Sequence, residues 1–202
     1  MRFSFTTISL ALLALSSASP VPNPKTSTKT AAADVAKAAS TQAATAKAAK
    51  GATAATAATA GSVLTSAAYN DFQISSGTAG KAEAEANALF ADIDTSNLAA
   101  VSASDLKIIQ ATHDVAEDAE VEAFNPAVDA ATGDAATALQ NGKIKNKVLK
   151  LTATVLALQV KGAQGGDDSK LAAEQTKLAK NIQLDVAAAG EPSTAVPFTG
   201  ST

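Results

Sequence analysis

Ile144, Val148, Leu151, Val155 and Leu158 recur at helical spacing within "QNGKIKNKVLKLTATVLALQVKGAQGG", and Leu149, Leu156 and Val160 widen the stripe. A helix apolar over so much of its circumference must be covered on several sides. This one segment therefore points to a helical bundle with itself at the centre. Gly165 and Gly166 supply its stop.

The other segments fit the same plan. "DLKIIQATHDVAEDAEVEAF" (Asp105–Phe124) places Ile108, Ile109, Thr112, Val115, Ala116, Ala119 and Ala123 on one helical face, with Lys107, Asp114, Glu117 and Asp118 opposite. Ser102 or Ser104 is positioned to cap it. "FNPAVDAA" predicts a helix restart, with Asn125 as cap and Pro126 at the first position, where a missing N–H costs nothing. The last helix follows Asp167 and Asp168, turns Leu171, Leu178, Ile182 and Val186 inward, and stops at Gly190 and Pro192. Earlier, Val63, Leu64, Ala67, Ala68, Phe72 and Ile74 form one face if Ser62–Gly77 is helical, and "AGKAEAEANALFADID" extends helix to about Ala91. No segment alternates with period two, so no sheet is expected. The expected fold is all-α: four to six helices in a bundle with short loops, preceded by an alanine-rich N-terminal helix.

The chain front reads as processing and spacing segments. Arg2, the apolar run "FTTISLALLAL" and the small residues Ser16 and Ala18 make a signal peptide over residues 1–18, too short for a membrane span. Cutting one residue later would put Pro20 directly after the scissile bond. Residues 19–30 form a Pro-, Ser- and Thr-rich leader, a candidate for O-linked sugars. Residues 31–61 are an Ala/Thr-rich helical segment without a large apolar stripe, so little would anchor it. The bundle domain is expected over residues 62–190 and a flexible tail over residues 191–202. The threonines at 53, 56 and 59 drift around a helix rather than forming the flat face that ice binding requires.

Composition then narrows the function classes. The chain is 47% hydrophobic but 3% aromatic, and alanine buries little area, so the core is thin per residue. There is no cysteine, which excludes disulfide scaffolds, thiolate nucleophiles and cysteine metal sites. Charge is uneven: Ser19–Thr65 holds five lysines against Asp34, whereas Ser66–Thr202 holds ten lysines against eighteen carboxylates, a net −8.

Few side chains suggest chemistry. The one histidine, His113, lies at the edge of an apolar helix face beside Asp114 and Glu117. A general base or metal ligand would need partners that converge on it, and none is legible, so it reads as a boundary residue. The acid cluster "DVAEDAEVE" (Asp114–Glu122) has neither EF-hand spacing nor a loop glycine, and reads as a solvated face. A carboxylate-based activity through Asp114, Glu117 and Asp118 is the minor alternative. "KIKNKVLK" (Lys143–Lys150) is expected to pair with that cluster across the bundle. Four lysines without interleaved aromatics make a poor nucleic-acid site. Phosphate loops, nucleophile elbows and N-glycosylation sequons are absent from the mature sequence. No catalytic, cofactor or metal residue is assigned, and no cofactor is expected.

"AAYNDFQISSGTAG", "FADIDTSNLAAVSASDLKIIQATHDVAEDAE", "FNPAVDAA", "GKIKNKVLKL" and "STAVPF" resemble an uncharacterised family of small secreted proteins of filamentous ascomycete fungi. The resemblance runs from about Ser62 to Phe198 and implies source and compartment rather than mechanism. In plan the chain is also similar to fungal hydrophobic surface-binding proteins and cell-wall galactomannoproteins. Together these imply a secreted, non-enzymatic protein that associates with the cell wall, apolar surfaces or lipids through amphipathic helices. The alternative is an apoplastic interaction protein engaging a host or microbial partner. Neither reading requires nucleic acid or a transmembrane segment.

Overall fold

The computed structural model describes residues 61–202; the expected signal peptide and leader, and residues 31–60 of the expected Ala/Thr-rich helix, lie outside the described residues. The described chain is mostly helical, as expected. Its elements are α1 (Tyr69–Phe72), β1 (Gly77–Thr78), α2 (Ala82–Ala88), α3 (Ala103–Ala119), α4 (Asn125–Ala130), α5 (Gly133–Ala163), α6 (Leu171–Ala187) and β2 (Pro192–Ser193).

The apolar-stripe helix is α5, and it occupies the centre. Over 31 residues it buries Ile144, Val148, Leu149, Leu151, Val155, Leu156 and Val160. Helices α2, α3 and α6 pack around it. Ile109 from α3, Ala82 and Ala86 from α2, and Phe90 and Ile93 beyond α2 complete the main core, with Leu178 and Ile182 of α6 packed at its margin. Gly165, at φ 82°, follows the end of α5 in the left-handed region that glycine adopts without strain.

A second core gathers aromatics. Tyr69, Val115, Ala116, Ala119 and Phe124 are buried together, with Phe72, Val196 and Phe198 against them. The Tyr69 ring meets Phe72 and Phe198 edge-on, with centroids 5.7 and 5.9 Å away. Alanine supplies little area, so these rings carry much of the burial at this end of the bundle.

Ser102 caps α3, its Oγ accepting from the Asp105 N–H at 3.0 Å. The predicted helix restart at Asn125 is corrected. A π-helical turn, Glu120–Phe124, joins α3 to α4 without a break, and Asn125 is itself helical. The Asn125 N–H reaches back to the Glu120 carbonyl, five residues behind. Pro126 has no N–H to continue an ordinary turn, and the wider turn just before it absorbs that loss.

Three further expectations are corrected. Ser62–Ala68 is not helical; it runs extended, and only Tyr69–Phe72 of the predicted face forms a turn of helix. The Asp105 carboxylate accepts from Ser62 Oγ and the N–H groups of Val63 and Leu64, tying the start of this strap to α3. A small sheet exists, with Gly77 opposite Ser193 and Thr78 opposite Pro192, antiparallel. Strands of two residues are too short to show an alternation.

The tail, read as flexible, is held along its length. Thr194 N–H donates to Ala138 O, Asn70 Nδ2 to Phe198 O, Tyr69 N–H to Gly200 O and Thr202 N–H to Ala67 O. Two glycines let it lie this close. A Cβ on Gly142 of α5 would stand 2.0 Å from Thr194 O, and one on Gly200 would stand 2.4 Å from Val115 Cγ2. The folded unit therefore extends to Thr202, past the expected boundary at residue 190.

Candidate functional site

The acid cluster and the lysine run meet, as the sequence suggested. Lys150 on α5 binds both Glu117 on α3 and Glu120 on the π-helical turn, and Lys147 lies 3.4 Å from Glu120. Burial opposes the Glu120 charge, but the bonds and field of Lys150 and Lys147 outweigh it and hold the carboxyl below its ordinary range. For Lys150, burial again opposes the charge, and Glu117 and Glu120 together raise its pKa. The remaining acids of the cluster, Asp114, Asp118 and Glu122, point to solvent. Convergence is therefore on lysines rather than on a common centre. Among the described residues no group of three or more His, Asp or Glu side chains could hold a metal ion.

His113 sits one turn from these pairs and is half-buried, with 37% of its side chain exposed. Its Nδ1 is 2.8 Å from Thr154 Oγ1, and that hydroxyl also reaches the Lys150 carbonyl at 2.9 Å. A hydroxyl has one proton to give; with it committed to the carbonyl, the Thr154 oxygen is left to accept from Nδ1–H. Asp114 Oδ1 stands 4.0 Å from Nε2, too far to fix it. Thr154 donates into its own helix, so the pair lacks an activated hydroxyl nucleophile.

His113, Lys150, Thr154 and Lys177 line a hollow of about 460 Å³ where α3, α5 and α6 meet. A different hollow, of about 270 Å³, lies under the extended strap and is lined mainly by apolar side chains, among them Leu64, Phe72, Phe90 and Ile108. The strap above it is anchored at Asp105 and, by Ala67 N–H, at Thr202 Oγ1.

The sequence missed the polar residues buried on α5. Lys145 is fully buried; its Nζ donates to Ser76 O (2.9 Å) and Thr78 O (3.2 Å) and lies 2.8 Å from Glu85 Oε2. Asn146 accepts from Tyr69 Oη and donates to Ala116 O, both at 2.8 Å. Burial pushes the Tyr69 phenol up to about 12, so it remains a donor to Asn146 at ordinary pH. Asn141 Nδ2 holds Pro192 O at 2.9 Å. These groups satisfy loop and tail carbonyls, which makes them structural ties. A signal was present: Asn141–Gly142 inside a helical pattern costs propensity and marks a close backbone approach.

The family described as "Domain of unknown function (DUF8454)" matches residues 64–197. The chain belongs to this family. The matched span begins in the extended strap and ends in the tail, so the DUF8454 unit comprises the bundle together with both segments that bind it. No curated protein and no solved structure matches the chain. Among the described residues, no helix is long and apolar enough to cross a membrane.

Proposed function

We propose that the chain is a secreted, non-enzymatic fungal protein that associates with a cell wall, an apolar surface or a lipid layer by turning out an amphipathic helix. The observation carrying this reading is the attachment of α6. Its apolar residues Leu171, Leu178 and Ile182 are only partly covered, while Leu184 and Val186 stand 44% and 57% exposed. Its two buried residues are polar: Asn181 bonds within its own helix, and Asp185 accepts from Ala82 N–H of α2 at 2.9 Å. Such an element opens at lower cost than the core, because few apolar contacts hold it. Lifting it would present its own stripe and the margin of the α5 core to an interface.

Partitioning onto hydrophobic beads and anionic or neutral vesicles tests this. Asp185→Ala should increase the bound fraction, and sucrose, which favours the closed bundle, should decrease it. If the wild-type chain and the variant both stay in solution at every protein concentration, the reading fails.

A further inference from the structure

The hollow at His113 is one half of a longer trough. A second hollow, of about 370 Å³, shares His113, Thr154 and Leu158 with it and reaches Lys161 near the end of α5. The first half also takes in Lys147 and Lys170. Five of the ten lysines after Ser66 thus line one trough, on a body whose net charge is −8. Charges gathered against the sign of the molecule mark a surface suited to an anionic ligand.

The lysines are not equivalent. Lys147, Lys150 and Lys177 already face Glu120, Glu117 and Glu174. Lys170 and Lys161, one in each half, make no direct ion pair among the described residues, and only the more distant Asp167 carboxylate feels both charges. The trough also holds acceptors, among them the Glu117 and Asp114 carboxylates, 45% and 76% exposed, together with the His113 ring. Gln110 adds a side chain that both donates and accepts. A polyphosphate would suit the lysines but has no donors for these acceptors. A neutral sugar would suit the acceptors and bring no charge to Lys161 and Lys170. A chain bearing separated carboxylates with hydroxyls between them satisfies both sets. Leu151 and Leu158 give the trough an apolar lining for the C–H faces of sugar rings.

We infer that this trough binds an acidic oligosaccharide of the uronic-acid type, with carboxylates on Lys161 and Lys170 and hydroxyls on the acceptors that line the rest of the trough. The inference does not rest on displacement of α6: the trough exists only with α6 in place, and lifting that helix would dismantle it.

Calorimetric titration of the full chain with tri-galacturonic acid is the test, with maltotriose and tripolyphosphate as comparison ligands. Saturable binding of the uronate is expected, weakening as salt is added, with no saturation by maltotriose and weaker binding of tripolyphosphate. Lys161→Gln combined with Lys170→Gln should weaken uronate binding by roughly tenfold, the product of two exposed charge contacts. Neither side chain is buried, so circular dichroism should show the fold unchanged. No saturable uronate binding, equal binding of tripolyphosphate or of maltotriose, or a folded double variant that binds like wild type would each overturn the inference. Vesicle partitioning is a separate measurement, so failure of surface association and failure of this site can be told apart.

Discussion

Helices α3 and α6 are both 17 residues long, and both read as amphipathic. They end up in different situations. Helix α3 buries six residues, including Ile109, Val115 and Ala116, and is covered by α5 on one side and by the strap and tail elsewhere. Helix α6 buries two, neither of them apolar. Equal amphipathic pattern therefore did not yield equal burial. Coverage depends on how many partners reach a face, and α3 draws on three segments where α6 relies mainly on one.

The most severe way to break this contrast is Gly142→Val. Its side chain would meet the Thr194 carbonyl and Phe124, driving the tail off α5. A loss of about 3 kcal/mol or more is expected in urea unfolding, with the tail amides losing hydrogen-exchange protection first. Ile109→Ala should cost about 2–5 kcal/mol, since the residue is fully buried in the main core. The equivalent truncation on the outer helix, Leu178→Ala, should cost less than half as much. Equal losses would show that α6 is held as firmly as α3.

Asp185→Ala removes the buried bond from α6 to the start of α2 and should cost about 1–3 kcal/mol. Exchange should then quicken in α6 while α3 stays protected, which sharpens the contrast. Acid reverses it by acting on α3. Burial opposes the Asp105 charge, but bonds from Leu64 N–H, Ser62, Ser102 and Val63 N–H outweigh that and hold its pKa below the ordinary carboxylate value. A pKa lowered by folding means the stabilisation is present above the unfolded value of about 3.9 and is lost as pH falls through the folded one. Stability measured from neutral pH downward should therefore fall below about pH 4, and Asp105→Asn should flatten that part of the curve. The smallest effect belongs to Val186→Ser: this exposed position should change stability by no more than about 0.5 kcal/mol, while reducing any partition onto apolar beads.

The helices themselves were legible because each carries its own period. The α5 stripe, the α3 face and the Ser102 cap depend on spacings of three and four residues, which local sequence records directly. Val186 fits the same spacing on α6, yet it is exposed: at that end of the helix the neighbouring Asp185, not Val186, is the residue buried against the start of α2. The Lys147 and Lys150 pairing with Glu117 and Glu120 was legible only as complementary charge; the register that brings them together belongs to the packed bundle. Lys145 illustrates the limit. It looks like its neighbours in "KIKNKVLK", yet burial, Glu85 and two loop carbonyls make it an internal tie.

The sequence by itself determined that this chain is helical, cysteine-free and centred on one long apolar helix, because propensity, composition and period are local properties. Tertiary structure alone decided that Ser62–Ala68 is a non-helical strap, that the tail is bound and that α6 is the least covered long helix. Those outcomes hang on contacts across distance: Asp105 with the strap, Gly142 with Thr194, Asp185 with Ala82. A hydrogen bond or close approach between residues dozens of positions apart leaves no periodic trace in either partner.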